Sequence, residues 1–164
     1  MIDAIQLGSG ALECVMLTPE WAKPLAAFLA DLEIHADTHF FAPHPSSEAF
    51  IRDLCDTRKR DMYYLLVSGH AVAGYGLLRG WDEGFEIPSL GIAIHPAVRG
   101  RGLGELLLHF LHVAALARGA VRVRLRVRAA NSVAIGLYIK VGYVFERDES
   151  PDGYLTGFMR LTRD

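Results

Sequence analysis

Leu90-Gly91-Ile92-Ala93-Ile94-His95-Pro96-Ala97-Val98-Arg99-Gly100-Arg101-Gly102-Leu103-Gly104 is the stretch whose reading decides the fold. It begins as an apolar, strand-like run stopped by His95-Pro96 and passes into a glycine-rich turn. The turn feeds Glu105-Leu106-Leu107-Leu108-His109-Phe110-Leu111-His112-Val113-Ala114-Ala115-Leu116-Ala117-Arg118, which reads as a helix closed by Gly119. Glycines at 100, 102 and 104 let the backbone approach a ligand closely, and the first-turn N–H groups of a helix have no intrahelical partner. Together with the positive end of the macrodipole, those donors favour phosphate or pyrophosphate. A phosphate-binding P-loop would end in Gly-Lys-Ser/Thr, which is absent. A dinucleotide fingerprint would place its third glycine at 105, where this chain has Glu105. What remains is Arg99-x-x-Gly102-x-Gly104 after a strand.

The rest of the chain sets bounds on that reading. Its 164 residues fit one domain, and a hydrophobic fraction of 51% suits a folded globular core. A formal net charge of −2 argues against general affinity for nucleic acid or anionic membranes. The start, Met1-Ile2-Asp3-Ala4-Ile5-Gln6, shows no basic segment ahead of an apolar core, so no signal peptide is expected. Glu105, His109 and His112 interrupt the longest apolar run, so no membrane span is expected. Cys14 and Cys55 make no metal or redox motif, and two free thiols in a reducing cytoplasm are the expectation.

Along the chain, 12–17 reads as a strand, and Thr18-Pro19-Glu20 opens a helix running to about Leu32. Ser46 or Ser47, with Glu48 behind it, starts a second helix that runs into Arg58-Lys59-Arg60-Asp61. Residues 62–67 and 72–79 form a hairpin around Ser68-Gly69-His70. Val121-Arg122-Val123-Arg124-Leu125-Arg126-Val127-Arg128 alternates without a fault, which predicts a strand with two unlike faces. A helix over 132–141 ends at Gly142, and strands over 143–146 and 154–161 turn through Ser150-Pro151-Asp152-Gly153.

Asn131-Ser132-Val133-Ala134-Ile135-Gly136-Leu137-Tyr138-Ile139-Lys140-Val141-Gly142-Tyr143 resembles the Asn-x-x-Ala-x-x-x-Tyr-x-x-x-Gly-Phe signature of the GCN5-related N-acetyltransferases (GNAT), with Tyr143 at the Phe position. The glycine turn resembles that family's motif A and this segment its motif B, in the right order. The resemblance covers about residues 89–148; the N-terminal half matches only in its order of elements. It implies an α/β (α+β) fold over one domain, 1–164: a mixed, mostly antiparallel sheet of six to seven strands with helices on both faces. It also implies direct transfer of an acetyl group from acetyl-CoA to a primary amine of a small acceptor in a ternary complex, with no metal. Neither cysteine has the setting of an acyl-carrying nucleophile. A non-catalytic acyl-CoA sensor of the same fold is the alternative, and the family leaves a homodimer open.

The resemblance assigns roles residue by residue. Arg99, Gly100, Arg101, Gly102, Leu103 and Gly104 would hold the pyrophosphate. Ile92, Ala93 and Ile94 would line the pantetheine arm, with an N–H near Ile94 polarising the thioester carbonyl, an interaction commonly worth ~3–4 kcal/mol. Tyr138, seven residues after Asn131, would protonate the leaving thiolate. Asn131 would contact the cofactor or simply cap its helix. The general base is the gap: relatives often carry an acid near the position of Ser89, and Glu86 is the nearest one here. Between the first two helices, His35, His39 and His44 accompany Phe40 and Phe41, where relatives build the acceptor pocket. Zinc is the weaker reading of those histidines, since no HExxH glutamate is present; His35, His39, Phe40 and Phe41 are candidate substrate residues. Arg122, Arg124, Arg126 and Arg128 repel one another unless answered. Carboxylates such as Glu146, Asp148 and Glu149 could do so, or Arg126 or Arg128 could reach an anionic acceptor. Nucleic acid is not expected there, because no aromatics interleave on that strand.

Overall fold

Two strands apolar on both faces lie near the middle of the sheet: β2 (Met62–Ser68) is buried at every residue, and β3 (Ala71–Arg79) at all but its ends. The computed structural model describes residues 10–35, 40–147 and 149–162. In chain order these hold β1 (Leu12–Met16), a 3-10 turn (Pro19–Trp21), α1 (Ala22–Ile34), α2 (Glu48–Thr57), β2, β3, β4 (Ser89–Ile94), a 3-10 turn (Pro96–Val98), α3 (Leu103–Ala117), β5 (Arg122–Arg128), α4 (Ser132–Val141), β6 (Val144–Phe145) and β7 (Tyr154–Arg160). The strands form one seven-stranded sheet in the order β1-β2-β3-β4-β5-β7-β6. Every pair is antiparallel except β4–β5, which are parallel and joined across α3. The expected mixed, mostly antiparallel sheet is therefore what the chain forms.

Alternation divides the sheet into two cores. On one face Leu107, Leu108 and Leu111 of α3 and Tyr138 of α4 pack on Leu78, Leu90, Val123 and Leu125. On the other, Leu25, Phe28 and Leu29 of α1 and Ile51 of α2 pack on Tyr63, Leu65, Tyr75, Leu77 and Ala93. A Cβ at Gly76 would lie 2.9 Å from Leu111 Cδ1, so glycine there lets α3 seat closely on β3.

Element ends depart from the sequence reading for local reasons. The Thr18-Pro19 start is a 3-10 turn that continues into α1. Ser47 caps α2, its Oγ accepting the Phe50 N–H at 3.2 Å. α2 stops at Thr57, not at Asp61, because Asp82 accepts the Lys59 and Arg60 N–H groups at 2.9 and 2.6 Å and Arg58 turns extended. β6 is only two residues long, paired with Phe158 and Gly157 of β7.

Candidate active site

β4 and β5 meet at one register position, Ser89 with Arg124, and then diverge. Arg124 N–H donates to Pro88 O at 3.0 Å, while His95 N–H donates to Ala73 O on β3 at 2.8 Å. Backbone groups alternate sides along a strand, so the N–H groups of Leu90, Ile92 and Ile94 point toward β5. The Ser89–Arg124 bridge engages Leu90; past it no register position pairs Ile92 or Ile94 with β5, so their N–H groups face the widening gap. The end of β4 is held rigidly: Ala97 N–H donates to His95 Nδ1 at 3.1 Å, which leaves Nε2–H to donate to Asp31 of α1 at 3.0 Å.

The glycine turn closes one end of the gap. Gly100 and Gly102 have φ of 75° and 79°, and a Cβ at either would meet nothing within 4 Å. The left-handed backbone thus requires glycine while the space above stays open to a ligand. Gly104 serves packing instead, since a Cβ there would come 3.2 Å from Leu137 Cδ2. Gly102 occupies the N-cap of α3 and has no side chain to satisfy the first-turn N–H groups. Arg99 Nε donates to Ile94 O at 3.0 Å, tying the turn to the strand end.

α4 forms the opposite wall. Asn131 caps it, Oδ1 accepting the Ala134 N–H at 3.3 Å, which leaves the Asn131 amide NH₂ available to the cleft. Tyr138 is buried and its hydroxyl hydrogen-bonds none of the described residues; desolvation pushes its pKa up to about 12. The Tyr143 ring packs edge-on to it at 5.6 Å, and the Tyr143 hydroxyl pairs with His112 Nε2 at 2.9 Å. Burial first, and then the neighbouring His109, hold His112 down to about 4, so the pair is neutral.

These elements enclose a cleft of about 560 Å³ that passes through the sheet between β4 and β5. Ile92, Ala93, Ile94, Arg99, Gly100, Gly102, Leu103, Gly104, Asn131, Tyr138, Phe40, Phe41 and Arg126 all line it. Three expected residues do not. Arg101 is exposed between the two left-handed glycines. Glu86 is exposed in the loop before β4, N-terminal to the Ser89–Arg124 contact, and does not line the cleft. His35 ends α1, its Nδ1 and backbone N–H both directed at Asp31 O, at 2.7 and 3.2 Å. His39 lies outside the described residues. His44 is structural: Nδ1 donates to Pro45 O and Nε2 accepts from the buried Tyr75 hydroxyl, each at 2.8 Å. It borders a second cavity of about 370 Å³ with Glu33 and Ser46, and Phe41 lies in the lining of both cavities. Arg126 is answered by Asp152 at 2.7 Å rather than by Glu146 or Glu149, because the 150–153 turn folds back over β5; Asp148 lies outside the described residues.

The sequence reading missed a charge pair at the glycine turn. Glu105, in the first turn of α3 and on the cleft wall, is met by Lys140 Nζ at 2.6 Å, whose hydrogen bond holds its carboxyl below the usual range. The signal was present in an acid standing where a phosphate loop tolerates one poorly, but its partner is 35 residues away.

The model of the Acetyltransferase (GNAT) family matches residues 26–143. The chain belongs to the GNAT acetyltransferase family. Solved structures agree with this in fold. A GNAT-family acetyltransferase from Streptococcus pneumoniae is 24% identical, covering 93% of this chain and 100% of that one at a TM-score of 0.74. The PaiA N-acetyltransferase of Thermoplasma acidophilum, in complex with coenzyme A, is 15% identical over 92% and 99% at 0.71. The ribosomal-protein-S18-alanine N-acetyltransferase of Escherichia coli is 21% identical over 94% and 96% at 0.66. In this acetyltransferase, among the described residues, no helix is long and apolar enough to cross a membrane, and no group of three His, Cys, Asp or Glu side chains could hold a metal ion.

Proposed function

We propose that this acetyltransferase moves an acetyl group from acetyl-CoA to the primary amine of a small acceptor, by direct attack within a ternary complex. The observation that carries the reading is the splayed β4–β5 gap: an uncapped helix N-terminus behind open glycines lies at one end and a buried neutral phenol on its wall. The α3 N–H groups and Asn131 would bind the pyrophosphate side. The Ile94 N–H faces the gap where a thioester carbonyl oxygen would gather charge as the amine nitrogen attacks. As the C–S bond breaks, Tyr138 donates its hydrogen bond to the departing sulfur. A free thiol titrates near ~8.5, so outright transfer from a phenol at about 12 is uphill and the thiolate takes its proton finally from solvent.

The amine's own proton leaves to water, since Glu86 lies off the cleft and Glu105 is engaged with Lys140. Cys14 and Cys55 are unbridged, burial raises both thiols, and neither lines the cleft, which supports direct transfer and fits a reducing cytoplasm. Phe40, Phe41 and Arg126 supply the acceptor side of the wall; His35 does not line it, and His39 lies outside the described residues.

Calorimetry of acetyl-CoA with wild type and Gly102→Glu, alongside thermal melting, tests the reading. The expected result is micromolar binding lost in the variant, followed by thiol release with a primary amine. Absence of binding to the wild type overturns it, and binding without turnover by any amine leaves the sensor.

A further inference from the structure

Among the described residues, half of one sheet face carries no helix. α1 and α2 pack on β2, β3 and Ala93 of β4, whereas on the same side β5 presents Arg122, Arg124, Arg126 and Arg128 between the buried Val123, Leu125 and Val127. Register places Arg160, Phe158, Thr156 and Tyr154 of β7 directly opposite those four arginines, so they share that face. Val144, opposite Phe158 on β6, is 74% exposed. Five arginines therefore share one face of a chain whose net charge is −2, with Arg122, Arg126 and Arg160 exposed and Arg124 and Arg128 half-buried.

Little inside the protein answers them. Asp152 pairs with Arg126, and no other ion pair is made by these arginines among the described residues. Arg124 Nε donates to Ser89 Oγ at 2.8 Å; Arg128 donates from Nη1 to Asp152 O at 3.3 Å, while its Nε is buried without a partner. The rings hold the guanidinium planes in place instead. Arg122 lies 4.8 Å over Phe158, and Arg126 and Arg128 each lie 4.6 Å from the Tyr154 centroid. Planar guanidinium groups fixed in this way present their edges for bidentate pairing with carboxylates at little further entropic cost.

We propose that this open half of the sheet is a docking surface for an acidic polypeptide segment, extended across β5 and β7 with carboxylates on the arginines. Same-face residues of a strand recur about every 7 Å, so alternate acidic residues of an extended chain match the ladder. Arg126 also lines the cleft, so such a chain runs to the cleft's edge. Single-stranded nucleic acid fits less well, because base stacking needs free ring faces and these are covered by guanidinium groups. A second copy meeting the same face would set arginine against arginine.

The test is fluorescence anisotropy of a labelled peptide alternating glutamate and serine, against an oligouridylate of similar length. Wild type, Arg122→Gln/Arg160→Gln and Arg122→Lys/Arg160→Lys are compared, with melting temperature and acetyl-CoA binding measured on each. The peptide should bind wild type, weaken roughly tenfold in the glutamine variant and recover only partly in the lysine variant, with acetyl-CoA binding unchanged. No peptide binding to wild type, equal binding to all three proteins, or tighter binding of the oligouridylate overturns the proposal. A wild type that binds acetyl-CoA but no peptide refutes the docking surface alone. One that binds peptide but no acetyl-CoA refutes the acyl-transfer reading alone.

Discussion

Tyr138 shows how one residue's environment sets its use. Its place seven residues after Asn131 follows from chain order, but its acidity follows from burial, which takes the phenol up to about 12. Below pH ~10 it is protonated in both folded and unfolded chains; its contribution to stability is whole there and is lost as pH rises toward 12. We predict that Tyr138→Phe lowers kcat about a hundredfold and leaves the acetyl-CoA dissociation constant unchanged, read by thiol release and calorimetry. The wild-type kcat profile should show no alkaline fall assignable to this phenol near pH ~10. The other polar candidates were less legible. Glu86 is near Ser89 in sequence, yet the gap opens only past Ser89, a fact of pairing that no residue announces.

At the scale of elements, the turn at 99–104 was readable because φ preference is local: Gly100 and Gly102 sit in the left-handed region that their side chain permits. The balance of charge at that turn was not readable, since Glu105 on α3 is met by Lys140 from α4. An unanswered carboxylate in the first turn would repel a bound pyrophosphate. Lys140→Met should therefore weaken acetyl-CoA binding severalfold, and adding Glu105→Gln should restore it, with the difference shrinking at high salt in a titration. The arginine alternation likewise predicted β5 and its two faces. That β7 would bring Phe158 and Tyr154 under those guanidinium groups depended on the register of a strand 26 or more residues later.

For the whole molecule, the core on the α3 and α4 side contains a histidine kept neutral. His112 is 6% exposed, accepts from Tyr143 and titrates at about 4 against an ordinary 6.5. Between those values the unfolded chain binds the extra proton, so stability is complete above pH 6.5 and falls as pH drops through 4. The loss assignable to this one group is on the order of 3 kcal/mol. Urea unfolding at neutral pH and near pH 4 should show that loss in wild type and a smaller one in His112→Gln, whose amide oxygen can still accept from Tyr143.

What this sequence determined by itself was whatever rests on local preference: strand and helix periods, the Ser47 and Asn131 caps, the left-handed glycines and the order of elements that identifies the family. Tertiary structure alone decided which of those elements confront one another. The parting of β4 and β5 after a single contact creates the cleft, joins Phe41 and Arg126 to Tyr138 on its walls, and leaves Glu86 and His35 outside it. The same packing covers β2 to β4 with α1 and α2 and, among the described residues, sets no helix on the arginine face of β5. The physical reason is that burial, pairing and charge compensation are set by neighbours far apart in the chain, while dihedral preference and capping are set by neighbours next to one another.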